Sequence, residues 1–351
     1  MAQTHLTYSR LAPLGISLLL AACPSPTDVG GLIKLPDGGT EPQPDMATPP
    51  ADRPTGTLVI ASDQSTSNTQ LYVVPLDNPM SRRLLTQPPA GSRDNYPAFS
   101  LDGSQIVFVR SGAMLSDPDS LRIINTDGTG ERELAQCAAP GAGTASCQAP
   151  VIAADGNVYY QDRYALQDGT RGGGIKYVGK GGGTPALWDA GSQTGYGCGL
   201  ATTTHNKDGS KLVLRLVGDS CSMAGVFAVA TTDTMLPPAV DPTMLRSELS
   251  YYANPVFNSD GSKLIFFGVD QVGGQYVKRL LAMNPDGTSL SAQLDLGSFD
   301  AVNTLGSSRL TSDGKYLIGE SAGSLHSIAT TGPARTARID FLTGIATFDV
   351  K

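Results

Sequence analysis

Five Asp-Gly pairs recur along this chain at an almost constant interval. Asp102-Gly103, Asp155-Gly156, Asp208-Gly209, Asp260-Gly261 and Asp313-Gly314 stand 53, 53, 52 and 53 residues apart. Each lies in the same local pattern. Five residues before the Asp come Pro97, Pro150, Thr203, Pro255 and Ser308, and three before it Phe99, Ile152, His205, Phe257 and Leu310. After it come alternating apolar residues: Ile106 and Phe108, Leu212 and Leu214, Leu264 and Phe266, with Val158 and Tyr160 arriving one residue early. A fixed period of this length means one supersecondary unit copied and stacked.

Period-2 alternation on both sides of Asp-Gly reads as two half-buried strands, and the Gly supplies the positive φ that a tight hairpin turn requires. A Pro at the first residue of a strand removes no ladder bond. Further into the unit a second turn follows, Asp127-Gly128 after Leu121, Ile123 and Ile124, and Asp286-Gly287 after Leu280 and Leu281. Each unit is therefore four antiparallel strands with no helical stretch between units, the pattern of a β-propeller. Residues 57–87 supply three more strands, at 58–61, 71–75 and 83–85, with Asp77-Asn78 at the second turn and the opening strand missing. After the last unit, complete near Asp340, one strand is left over at 345–350. The expectation is an all-β, six-bladed propeller of four-stranded antiparallel blades over residues 57–351. The C-terminal strand closes the first blade, which removes the open edges of the array.

Two copies of the repeat, Tyr96-Pro97-Ala98-Phe99-Ser100-Leu101-Asp102-Gly103 and Asn254-Pro255-Val256-Phe257-Asn258-Ser259-Asp260-Gly261, resemble the TolB-type, WD-like propeller repeat, whose consensus is Pro-x-aromatic-Ser-Pro-Asp-Gly. The resemblance covers residues 57–350 and implies the propeller fold. The α/β domain that precedes the propeller in TolB has no counterpart here.

Residues 1–22 carry no Asp or Glu, a single Arg10, and a 12-residue apolar run that ends at Ala22. The run is well short of the ~20 residues that cross a bilayer and reads as a secretory signal. Leu20-Ala21-Ala22-Cys23 resembles a bacterial lipobox, which implies cleavage before Cys23, its diacylation, and acylation of the new amino terminus. Several acyl chains anchor a protein stably where one does not. Pro24 and Ser25 follow, with no Asp directly after the Cys. By analogy with lipoprotein sorting, this favours an outer-membrane protein facing the periplasm, with surface exposure also open. Residues 23–56, with eight prolines and few aliphatic side chains, read as a disordered tether. Contact with the membrane is expected through the lipid alone.

The formal charge of −7 and pI near 4.9 exclude a nucleic-acid partner, because no cationic excess exists to release phosphate counterions. Beyond Cys23 the chain has Cys137, Cys147, Cys198 and Cys221, and an exported chain keeps disulfides. Pairing of near neighbours, Cys137 with Cys147 and Cys198 with Cys221, is the simplest of three connectivities. No Cys-x-x-Cys or His cluster is present, so neither a metal nor a cofactor is expected.

Gly319-Glu320-Ser321-Ala322-Gly323 matches a nucleophile elbow, but strands flank it where a helix must follow. Gly174 to Gly181 resembles a phosphate-binding loop, but Gly181 stands where Ser or Thr must hold magnesium. His205 fills a slot held elsewhere by Phe and is expected to be packed. No catalytic residue is assigned. The recurring Asp and Gly residues of the five pairs are read as turn chemistry.

The working surface is expected at the channel mouth where chain segments lead into each innermost strand. Those segments carry Asp94, Asn95, Tyr96, Tyr196, Tyr251, Tyr252 and Asn254, and Tyr offers apolar area with a polar tip. The reading is a monomeric, non-enzymatic scaffold that binds an unknown envelope protein. The alternatives are a propeller that captures a small molecule, ion or glycan, and a propeller-type lyase or hydrolase. Clustered ionisable groups with perturbed pKa inside the channel favour the alternatives; a flat tyrosine-rich rim favours the scaffold.

Overall fold

The computed structural model describes residues 54–62, 68–114, 117–137, 143–166, 171–188, 199–217, 225–230, 249–272, 275–297, 305–321, 323–330, 336–338 and 344–351. Contacts divide the chain into Met1–Ala51 and Asp52–Lys351, and all the described residues lie in the second unit. Their strands form six antiparallel sheets, five of four strands and one of three.

In sheet one, β1 (Thr57–Ser62), β2 (Gln70–Pro75) and β3 (Arg83–Leu84) follow one another. Sheet two is β4 (Arg93–Phe99), β5 (Gln105–Ser111), β6 (Ser120–Asn125) and β7 (Arg132–Gln136). Sheet three is β8 (Gly143–Ile152), β9 (Asn157–Leu166), β10 (Arg171–Gly179) and β11 (Ala186–Leu187). Sheet four has β12 (Gly199–His205), β13 (Lys211–Val217) and β14 (Gly225–Ala230). Sheet five is β15 (Leu249–Phe257), β16 (Leu264–Val272), β17 (Gln275–Met283) and β18 (Ser291–Gly297). Sheet six is β19 (Leu305–Leu310), β20 (Tyr316–Ser321), β21 (Ser324–Ala329) and β22 (Thr336–Arg338). The last strand, β23 (Ile345–Val350), pairs antiparallel with β1, Leu58 opposite Val350 and Ile60 opposite Phe348, and completes sheet one.

The strands that open the sheets touch in a closed cycle, β4 to β8 to β12 to β15 to β19 to β23 and back to β4. The fold is thus an all-β propeller of four-stranded antiparallel blades. Five blades are complete. Against the six expected, the remaining sheet, β12 to β14, has three strands among the described residues.

The Asp-Gly turns explain the period. Gly103 N–H donates to the Ser100 carbonyl at 2.9 Å, the Asp102 carboxylate accepts from Ser104 N–H at 3.0 Å, and Gly103 has φ of 73°. Ser100 N–H then bonds the Gln105 carbonyl at 2.8 Å, and Ser100 Oγ accepts from Gln105 N–H at 2.9 Å. Asn206, Asn258 and Thr311 repeat the Ser100 role toward Lys211, Lys263 and Tyr316. In the remaining copy Ala153 has no such side chain. There the loop closes one residue sooner, Ala153 N–H to the Asn157 carbonyl at 3.0 Å, which is why Val158 and Tyr160 arrive early. The hydroxyls of Ser100, Ser210 and Ser262, then the turn N–H groups, hold the carboxyls of Asp102, Asp208 and Asp260 below the usual range.

Two expectations are corrected. The second strands are not half-buried: Ile106, Val107, Phe108 and Val109 are all buried, because adjacent sheets cover both faces. Ile106 and Phe108 pack with Val59 and Ala61 of sheet one, and Val107 and Val109 with Val158 and Tyr160 of sheet three. Each such side chain contributes roughly 1.5–3 kcal/mol of burial. Nor do the prolines begin their strands. β4, β8 and β15 extend upstream of Pro97, Pro150 and Pro255, and the ladder breaks register there, between Asn95 and Ala98, Gln148 and Val151, and Ala253 and Val256. The missing Pro N–H is absorbed by a bulge.

Cys137 and Cys147 form a disulfide, with Cα atoms 5.8 Å apart, that ties the end of sheet two to β8. Closing a loop of this length contributes about 3 kcal/mol in the chain-entropy model. Cys198 and Cys221 lie outside the described residues, as do Cys23, the signal and the tether up to residue 53.

The turn glycines also interlock. A Cβ at Gly209 would sit 2.9 Å from Ala154 N and one at Gly314 2.9 Å from Ser259 Oγ, each on the preceding sheet, whereas one at Gly156 meets nothing within 4 Å. Gly156→Ala is expected to cost about 1–2 kcal/mol through its left-handed φ alone. Gly209→Ala should cost at least about 1 kcal/mol more by overpacking. Urea unfolding of the two variants checks this, and equal losses would refute the interlock.

Candidate functional site

The repeat phase decides which residues face the channel. Four positions before each turn Asp stand Ala98, Val151, Thr204, Val256 and Arg309, and Asp349 takes the same level on β23. Two positions before the Asp stand Ser100, Asn206, Asn258 and Thr311, with Lys351 following β23. Together they line a cavity of about 160 Å³ at the Asp-Gly end of the channel, to which all six inner strands or the residues following them contribute. Such a volume holds on the order of ten waters. Lys207, Ser259 and Ser312 are exposed at its lip, while Ser100, Asn206 and Thr311 are buried deeper.

One ion pair crosses the ring closure. Arg309 Nε of β19 donates to Asp349 Oδ1 of β23 at 2.8 Å, and Asp349 Oδ2 accepts from Phe99 N–H of β4 at 2.8 Å. Three consecutive inner strands are thereby joined through one carboxylate. Lys351 Nζ donates to the Leu101 carbonyl of the neighbouring turn. On another inner strand His205 has Nδ1 2.8 Å from the Asn206 carbonyl. Burial pushes this imidazole below its usual value, Lys351 and Arg309 add to that, and the Asn206 carbonyl and Asp349 oppose it.

The opposite end of the inner strands, where the partner-binding rim was expected, is organised differently. Asp94 is buried, with none of its surface exposed. Arg110 grips it in a bidentate pair at 2.7 and 2.8 Å and also bonds Glu131, which in turn bonds Arg122. Burial raises the Asp94 carboxyl above its usual range against the pull of Arg110. Asp94 is therefore a structural anchor with nothing to offer a partner. Asn95 and Tyr96 are partly buried; Tyr96 has φ of 53° and donates its N–H to Thr347 Oγ1 of β23 at 2.8 Å. Tyr251, Tyr252 and Asn254 lie on β15, their side chains outside the described residues, and Tyr196 lies wholly outside them.

Sequence reasoning missed Arg309, Asp349, Lys351 and Lys207. The signal was present in the repeat itself: Arg309 stands where the other copies carry Ala, Val or Thr. His205, expected to be packed, lines the cavity and is only partly buried, unlike Phe99 and Phe257 in the same slot. The Gly-x-Ser-x-Gly pentad is the β20–β21 hairpin, Ser321 opposite Ser324, and the glycine-rich 174–181 stretch is β10 and its following turn. Among the described residues no group of three or more His, Cys, Asp or Glu is placed to hold a metal.

No family model matches the chain, and no curated protein matches it. Among solved structures it is similar to TolB from Acinetobacter baumannii, with 12% identity and a TM-score of 0.57 over 84% of this chain. The chain spans 66% of the length of that protein. It is also similar to an oligogalacturonate lyase from Vibrio parahaemolyticus, with 13% identity, TM-score 0.51, and 77% and 71% of the two chains covered. An oligogalacturonate lyase in complex with manganese matches at 12% identity and TM-score 0.52, with 81% and 73% covered. The chain folds as a TolB-like β-propeller. At these identities the likeness is one of fold.

Asp349→Asn keeps an acceptor for Phe99 N–H but turns an amide donor toward Arg309 and removes its counter-charge, for an expected cost of about 1–3 kcal/mol. Asp349→Ala strands that N–H as well and should cost roughly 1–3 kcal/mol more. Thermal unfolding separates the two, and identical losses would show that the Phe99 bond contributes nothing.

Proposed function

We propose that this chain is a six-bladed, lipid-anchored binding propeller of the bacterial cell envelope that captures its ligand at the Asp-Gly mouth of the channel. The three-stranded sheet counts as the sixth blade. Cys23 carries the lipid in the outer membrane, residues 24–56 tether the propeller, and Cys198 with Cys221 make a second staple. The observation that carries the reading is the cavity, where His205, Arg309, Asp349 and Lys351 gather and the imidazole is pushed from its usual value. Ionisable groups clustered in a channel favour ligand capture over a scaffold with an inert core.

No catalytic role is assigned. Asp349, the carboxylate among the cavity-lining residues, is committed to Arg309 and Phe99. The second reading, a scaffold for an envelope protein, draws on the partly exposed Asn95 and Tyr96 at the other end.

Two experiments test these statements. Cys23→Ser should move the protein from the membrane to the soluble fraction of cells, and unchanged fractionation would refute the anchor. A photo-crosslinking residue placed at Ser312 should form an adduct in cells, and one at Leu187, exposed on the outer β11, should not. An adduct from Tyr251 with none from Ser312 would overturn the mouth in favour of the scaffold.

A further inference from the structure

We infer that the channel mouth is a receptor site for a small anion, bearing carboxylate or phosphate, held by Lys207 and Lys351 with Ser259, Ser312 and Asn258 as neutral donors. The inference rests on the mouth being the ligand site and names what it takes. The chain as a whole carries −7, yet its cavity is lined by three cations, Lys207, Arg309 and Lys351, against the single carboxylate of Asp349. Arg309 and Asp349 neutralise each other. Lys207 is exposed at the lip and bonds no carboxylate among the described residues. Lys351 gives one donor to the Leu101 carbonyl, a neutral group, which leaves two of its three N–H donors.

The carboxylates nearest the lip, those of Asp208, Asp260 and Asp313, stay ionised and are turned onto their own turns, accepting from Ser210 N–H at 2.9 Å, Ser262 N–H at 2.9 Å and Lys315 N–H at 3.0 Å. Ala98, Val151 and Val256 share the channel-facing layer and offer no side-chain hydrogen bond there, which leaves the lysines, serines and amides as the donors. Lysines hold an anion as point charges without the planar demand of Arg, so selection is by charge and size.

The test uses full-length protein with ¹³C-labelled histidine, the His205 signal assigned through His205→Gln. Sodium citrate, inorganic phosphate and a tetraglutamate peptide are titrated separately, with tetraglutamine as the neutral control. At least one anion should shift the signal saturably and tetraglutamine should not; which one does separates a free phosphate, a free carboxylate and a carboxylate on a peptide. Lys207→Glu and Ser259→Glu, both at exposed positions, should each weaken that binding about tenfold with an unchanged Tm. No saturable shift from any anion, or equal affinity in wild type and both variants, overturns the inference. Adducts at Ser312 that persist undiminished in Lys207→Glu also overturn it, while leaving the mouth as a ligand site.

Discussion

This ring of sheets is closed by its last strand pairing into its first sheet, and everything here depends on β23 lying against β1. Without that pairing sheet one would present a bare edge, and the cores between sheets six, one and two would open to water. The interface shows how much hangs on it. Phe348 and Ile345 of β23 are buried with Leu58, Ile60, Ile318 and Leu325, so one strand seals the contact between sheets one and six. The same strand supplies Thr347 and Asp349 to the N–H groups of Tyr96 and Phe99 on sheet two. Closure is thus made three times: by ladder, by apolar packing and by side chains that cap the next inner strand.

The second constraint is the narrowness of the channel end. Turns from successive sheets approach so closely that Ala154 N–H bonds the Gly209 carbonyl at 3.1 Å. Glycine there satisfies two demands, a left-handed φ and the absence of a Cβ, and only the first operates at Gly156. The Asp of each pair bonds its own turn, and the Ser, Asn or Thr two residues before it locks the first ladder rung of the hairpin. Asp-Gly is therefore a device for turning a strand inside a crowded ring, which accounts for its recurrence without invoking a ligand.

Much of this was legible in the sequence because it is periodic. The 53-residue spacing, the early arrival of Val158 and Tyr160, the three strands at the start and the spare strand at the end all follow from local turn chemistry and strand alternation. The strands of sheet one match the expected segments to within a residue or so. The bulges at Pro97, Pro150 and Pro255 were not legible, because a proline at a strand start and one at a bulge satisfy the same rule about missing N–H groups. Burial of both faces of the second strand was half legible: Ile106 to Val109 is a continuous apolar run, and alternation picked out only every other residue. The rim tyrosines drew notice by residue type, whereas a channel-facing residue is defined by its phase in the repeat. Asp94 looked like a rim residue until its partner Arg110, a strand away, came into view.

The position of the charges has a physical reason. In five of the sheets the inner strand runs straight into an Asp-Gly turn, so the residue two before the Asp must cap that turn and is held to Ser, Asn or Thr, or the loop shortens, as at Ala153. Sheet one has no such turn, since β23 and β1 are far apart in sequence and meet only by pairing. The position after β23 is released from capping, and Lys351 occupies it, reaching to the Leu101 carbonyl of the next turn. Asp349 is similarly free of the repeat and draws Arg309 into the channel from the adjacent sheet. The repeat supplies a neutral ring of hydroxyls, amides and small apolar groups, and the charges enter where the repeat is interrupted or departs from its pattern. A propeller that must keep its turns uniform to close can vary its channel there at least structural cost, which is why the least repetitive strand carries the most chemistry.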